Sequence, residues 1–131
     1  FDRAVRAARS ADAVIVVVGE KETMSGEAAS RAFIDLPGRQ EDLLKALLAA
    51  GKPLVVVVMS GRPLVLSWLA DHADALVQAW FLGSQSGHAL ADVVFGDVNP
   101  SGKLPVTFPR TLGQVPLYYN HKNTGRPPVT R

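Results

Sequence analysis

The sequence predicts an α/β fold, a three-layer sandwich in which helices cover a mainly parallel sheet. Three observations lead there. The runs Ala13 to Val18 and Leu54 to Val58 are aliphatic, mostly β-branched and without alternation, the pattern of strands buried on both faces of a parallel sheet. Ala75 to Trp80 fits as a third strand. Each run follows a segment with apolar residues at helical spacing, so helix and strand alternate along the chain.

In chain order, Ala4, Val5, Ala7 and Ala8 beside Arg3, Arg6 and Arg9 read as a short amphipathic helix that Ala11-Asp12 turns into the first strand. Leu43, Leu44, Ala46, Leu47 and Leu48 form the second helix, with Gly51 as its stop and Lys52-Pro53 leading into the second strand. Pro63 to Leu69 is expected to be helical, followed by the polar link Asp71 to Asp74 and the third strand. Gln85 to Phe95 reads as a fourth helix. After it Gly96, Asn99, Pro100, Gly102, Pro105 and Pro109 break regularity, apart from a short strand at Leu104 to Phe108. From about Gly113 the tail is extended.

A chain of 131 residues, 47% apolar, is enough for one domain spanning 1–131 with a real core. The net charge is only +2 and both signs are interspersed, so no nucleic-acid footprint is expected. Without cysteine there is no disulfide framework and no Cys-based metal site or nucleophile. The longest apolar runs are too short to cross a bilayer, and no membrane partner is expected. A start at Phe1 without Met and an open Pro-rich ending lead us to expect a piece of something longer.

Ligands in open parallel sheets gather at the carboxyl ends of the strands. Three loops qualify, beginning at Gly19-Glu20, Ser60-Gly61-Arg62-Pro63 and Phe81-Leu82-Gly83-Ser84. The first runs to about Asp35 and holds Glu20, Glu22, Glu27 and Arg31 among small residues. Long loops in compact domains usually carry function, and a Glu on one can donate a proton in a suitable environment. The simpler reading is a solvated acidic turn in which Arg31 pairs with Glu27, four residues away.

Other motifs are excluded. No Gly-x-Gly-x-x-Gly follows the first strand, and neither Gly51-Lys52 nor Gly102-Lys103 forms a phosphate-cradling loop. Gly83-Ser84-Gln85-Ser86-Gly87 has Gln where a nucleophile elbow needs Ser. His72, His88 and His121 lack ligand spacing, so no metal and no cofactor are expected. Trp80 reads mainly as packing at a strand end, and Arg62 reads equally as a loop anchor or a substrate contact.

The whole chain resembles the C-terminal α/β domain of glycoside hydrolase family 3, in its bacterial β-glucosidase-like branch. The resemblance rests on Gly19-Glu20, Met24-Ser25-Gly26-Glu27-Ala28-Ala29-Ser30-Arg31, Leu36-Pro37-Gly38-Arg39-Gln40, Ser60-Gly61-Arg62-Pro63 and Ala79-Trp80-Phe81-Leu82-Gly83. It continues through Phe95-Gly96-Asp97-Val98-Asn99-Pro100-Ser101-Gly102-Lys103-Leu104-Pro105, Phe108-Pro109-Arg110 and Tyr118 to Pro127.

The resemblance implies a retaining exo-glycosidase acting on β-glucosides or short oligosaccharides, in the periplasm or outside the cell. It implies that a preceding barrel domain supplies an Asp nucleophile while this domain lends the general acid/base, at the position of Glu27, with Glu20 and Glu22 as alternates. Arg31, Ser25, Arg62 and Trp80 are the candidate substrate contacts. On this reading the isolated chain is inactive. A non-catalytic sugar-binding or scaffold role is the alternative.

Overall fold

Five consecutive β-branched residues, Val14 to Val18, are stiff at χ1 and favour extended backbone. They form most of β1 (Val14–Gly19), and the similar run Leu54–Met59 forms β2. The computed structural model, which describes residues 1–122 and 125, places these strands side by side and parallel, with Val14 opposite Leu54 and Gly19 opposite Met59. β3 (Ala75–Gln78) lies parallel to β2 on its other side, with Val56 opposite Leu76, giving the sheet order β1-β2-β3.

Four helices accompany the strands in the described residues: α1 (Asp2–Ser10), α2 (Gln40–Leu48), α3 (Ser67–His72) and α4 (Ser86–Val94). Val18, Leu54, Val56 and Val58 share a sheet face, and they join Ala8 of α1, Leu44 and Leu47 of α2 and Leu69 of α3 in one buried core. Asp74 fixes the entry to β2: its carboxylate accepts from the Leu54 N–H at 2.8 Å, while its own N–H donates to the Leu54 carbonyl at 3.1 Å.

The alternating α/β reading holds, with three local corrections. β1 is not buried on both faces, since Ile15 and Val17 are 48% and 59% exposed, whereas Val57 on the same face of the central strand is 2% exposed. β1 is an edge strand within this chain, and α1 and α2 cover only its other face. The helix expected at Pro63 to Leu69 begins at Ser67. Its first four residues stay outside the helix, because Leu64 and Leu66 enter the core and the Val65 N–H is taken by the Ile34 carbonyl at 2.9 Å. The strand expected at Leu104 to Phe108 does not form; within it Pro105 withholds a donor that a ladder needs.

β3 stops at Gln78, two residues short of the expected end, and Trp80 just beyond it is left-handed at φ 53°. The tail from Gly113 includes the end of a 3₁₀ turn, Leu112–Gln114, and has no helix or strand among its later described residues. Residues 123, 124 and 126–131, including part of the Tyr118 to Pro127 motif, lie outside the described residues. No described helix is long and apolar enough to cross a membrane.

Candidate active site

A parallel sheet sends all its strands' carboxyl ends to one rim, so the segments after β1, β2 and β3 come together there. They meet closely at Gly61. A Cβ on that residue would lie 2.0 Å from the Ser25 hydroxyl and 3.1 Å from the Phe81 ring, so one residue of each loop shares a small volume. Gly19, with φ +134°, brings the end of β1 so near β2 that a Cβ would fall 1.8 Å from the Met59 carbonyl oxygen.

Glu20 follows Gly19 directly and extends the ladder by one bond, from its N–H to the Met59 carbonyl at 2.8 Å. Its side chain is fully buried, a position that acidic residues occupy almost only when paired. The partners are two arginines from different loops. Arg31 Nη1 donates to Oε1 at 2.6 Å, and Arg62 Nε lies 3.1 Å from Oε1 and 3.3 Å from Oε2.

Arg62 does more than pair. Its Nη2 donates to the Met24 carbonyl and, at 2.8 Å, to the Ala29 carbonyl, so one guanidinium grips the first loop on both sides of residues 25–28. Arg31 also donates to the Asp35 carbonyl at 3.0 Å. The backbone of Arg62 is held in turn: Gln78 Nε2 donates to Ser60 Oγ at 3.0 Å, and Ser60 donates to the Arg62 carbonyl at 2.8 Å. A polar chain therefore crosses all three strand ends, from β3 through β2 to β1.

Between the two carbonyls held by Arg62, the Ala29 N–H bonds to the Gly26 carbonyl at 3.2 Å and closes a four-residue turn. Ala28 occupies its third position at φ 59°, the left-handed region that turns normally give to Gly or Asn. Glu27 occupies the second position. Its side chain is exposed and makes no hydrogen bond or ion pair among the described residues. Left-handed backbone at a non-glycine residue costs about 1–3 kcal/mol and tends to occur where function requires it.

The candidates named from sequence thus separate. Glu20, Arg31 and Arg62 come together; Ser25 packs at Gly61; Glu27 stands at the tip of the turn that Arg62 holds. Glu22 opens a short 3₁₀ turn, Glu22–Met24, and is exposed. Arg31 pairs with Glu20 and not with Glu27, contrary to the simpler reading of the loop. Trp80 is half-buried and its ring tilts against Phe108, with centroids 5.8 Å apart.

Three contributors escaped the sequence reading: Ser60 and Gln78, which hold the backbone of Arg62, and Gln40, which binds the end of β1. The signal for Glu20 was available, since a charge placed directly after a buried strand enters the protein interior and must find partners there. A cleft of about 510 Å³ beside β3, lined by Leu66, Leu76, Gln78, Phe108 and Pro109, includes neither Ser25, Glu27 nor Arg31. Glu27, at the turn, lies apart from this cleft and presents a carboxyl with no partner among the described residues. No cluster of three His, Cys, Asp or Glu suited to a metal ion occurs among the described residues.

Comparison with known proteins agrees with this architecture. Residues 1–130 match the family described as Glycosyl hydrolase family 3 C-terminal domain. The chain is 57% identical over 127 residues to a periplasmic beta-glucosidase of Salmonella typhimurium, covering 97% of this chain and 17% of that protein. It is 44% identical over 119 residues to a beta-xylosidase of Formosa agariphila, covering 91% of this chain and 16% of that one. The crystal structure of a beta-glucosidase from Listeria innocua in complex with gluconolactone superposes with a TM-score of 0.90 at 46% identity, over 95% of this chain and 17% of the other. The chain spans about a sixth of the length of these relatives, and it belongs to the glycosyl hydrolase family 3 C-terminal domain family.

Proposed function

We propose that this chain is the acid/base-bearing domain of a retaining, exo-acting β-glucosidase, with the nucleophilic Asp contributed by a barrel domain of the same enzyme. The observation that carries the proposal is Glu27: an exposed, unpartnered carboxyl at the tip of a pinned turn, on the rim where a parallel sheet gathers its loops. Glu20 is a poor alternative, because its carboxylate is enclosed and occupied by two guanidiniums. Glu22 lies outside the turn that Arg62 spans.

A retaining mechanism requires two carboxyl groups about 5–5.5 Å apart across the glycosidic bond. The Asp carboxylate attacks the anomeric carbon; the bond to the leaving oxygen breaks with its electron pair on that oxygen, which takes the proton of Glu27. The resulting Glu27 carboxylate then removes a proton from water as the water oxygen attacks the anomeric carbon and releases Asp. Glu27 ends protonated again. An exposed turn suits this role, since the docked sugar and the facing domain together exclude water from the carboxyl.

The substrates proposed are β-glucosides and short β-linked oligosaccharides, and the compartment is the periplasm or the cell exterior. The Salmonella relative's name supports both. Replacing Glu27 by Gln in the full-length enzyme tests the assignment. The kcat/KM for alkyl glucosides, whose leaving group needs a proton, should fall about 10²- to 10⁴-fold. For dinitrophenyl glucoside kcat/KM, which reports only the first step, is largely spared, and kcat falls because the glycosyl-enzyme lacks its base. Equal rates on both, unchanged from wild type, would assign the domain to sugar binding or scaffolding.

A further inference from the structure

We infer that Glu20 is a positioning residue for the reaction: it holds the two arginines that shape the turn carrying Glu27. The inference rests on Glu27 being the acid/base and extends that reading to its buried neighbour.

The first loop has little else to define it. None of residues 21–31 is buried, and its one regular feature is the 3₁₀ turn Glu22–Met24. Apolar packing therefore cannot fix its path. What remains is a ring of polar bonds. Glu20 joins Arg31 across 11 positions and closes the loop at its base, and Arg62 ties the Met24 and Ala29 carbonyls to the same carboxylate.

Burying such a group is costly, and buried ion pairs replaced by apolar residues of similar volume often leave stability unchanged or improved. Added stability is thus a weak reason for three charged side chains at a sheet rim. Geometry is a stronger one. Both arginines also bind backbone carbonyls of the loop, so the orientation of each guanidinium, set by Glu20, is transmitted to the backbone of residues 24–29. A displacement of the reacting group by about 1 Å can cost 10²-fold in rate.

The consequence is selective. With Glu20 altered, the nucleophile and the sugar-binding groups of the facing domain stay in place, and only the two proton transfers of Glu27 suffer, the first of which an activated leaving group does not need. The full-length enzyme carrying Glu20→Gln, Arg31→Gln or Glu27→Gln is compared with wild type on dinitrophenyl and alkyl β-glucosides. For Glu20→Gln, kcat/KM on the alkyl glucoside should fall on the order of 10²-fold, with kcat/KM on the dinitrophenyl glucoside, whose leaving group needs no proton, changed by less than about threefold. Arg31→Gln, which leaves Arg62 on Glu20, should show the same selectivity to a smaller degree and covers the case in which Glu20→Gln does not fold. A loss equal on both substrates, or no loss, in the folded variants overturns the inference. If Glu27→Gln is itself unselective, the acid assignment falls and this inference with it; if Glu27→Gln is selective and neither companion variant is, the positioning role alone falls.

Discussion

The side-chain amide of Gln40 hydrogen-bonds both backbone groups of Gly19, accepting from its N–H at 2.7 Å and donating to its carbonyl at 2.9 Å. Gln40 opens α2, so a helix terminus acts as a one-residue strand partner on the free edge of β1. This contact fixes the backbone immediately before Glu20 and so sets where the polar ring begins. Replacing Gln40 by Ala leaves the Gly19 N–H and carbonyl without it, and the expected cost is about 1–3 kcal/mol. Urea unfolding of the chain measures it; a change within experimental error would show that water replaces the amide without loss.

Gly19 admits no side chain. At φ +134° a Cβ would lie 1.8 Å from the Met59 carbonyl oxygen, which belongs to the ladder and cannot move away. Gly19→Ala should cost more than about 4 kcal/mol, a magnitude reserved for a few mechanisms including strain at a special backbone conformation. Circular dichroism and thermal melting check this directly, and a variant melting within a few degrees of wild type contradicts the geometry.

Arg62→Ala removes one of two partners from a buried carboxylate and frees the Met24 and Ala29 carbonyls. Breaking a buried pair from one side costs about 3–5 kcal/mol. Arg62→Lys, which keeps the charge but not the fork that reaches two carbonyls and a carboxylate, should recover only part of this. Thermal melting of the three proteins should order them as wild type, Lys, Ala. Equal melting of the Lys variant and wild type would reduce the role of Arg62 to charge alone.

Gly61→Ala tests the convergence of the loops. The added methyl meets Ser25 and the Phe81 ring, neither of which is a ladder atom, so the first loop yields before the sheet does. Overpacking of this kind costs about 1–3 kcal/mol. Activity of the full-length enzyme on alkyl glucosides should fall by a larger factor than this loss of stability alone explains, because the displaced segment adjoins Glu27. Full activity would place the turn elsewhere than proposed.

The sheet was legible because Val14 to Val18 and Leu54 to Val58 have no other good conformation, and because Gly51 and Lys52-Pro53 punctuate them clearly. Pro63 to Leu69 misled because its spacing fits a helix throughout, while tertiary contacts of Leu64, Val65 and Leu66 keep the segment before Ser67 out of the helix. At the site, residue types and loop length pointed to Glu20, Glu22, Glu27, Arg31 and Arg62, but not to who pairs with whom. Arg31 lies four residues from Glu27 and 11 from Glu20, and local spacing favours the former. The choice of Glu20 comes from burial: a carboxylate held inside needs the guanidiniums, whereas Glu27 at an exposed turn tip does not. Such pairings across 42 positions, as between Glu20 and Arg62, have no periodic signature.

The most direct test of the acid/base assignment is azide rescue of Glu27→Ala in the full-length enzyme, using dinitrophenyl β-glucoside so that the first step proceeds without the acid. With the general base gone, the glycosyl-enzyme accumulates, and azide, which needs no base, should restore turnover with concentration and yield β-glucosyl azide. If azide leaves the rate unchanged and no glucosyl azide forms, while Glu22→Ala shows both, the proton-transferring carboxyl is not at position 27.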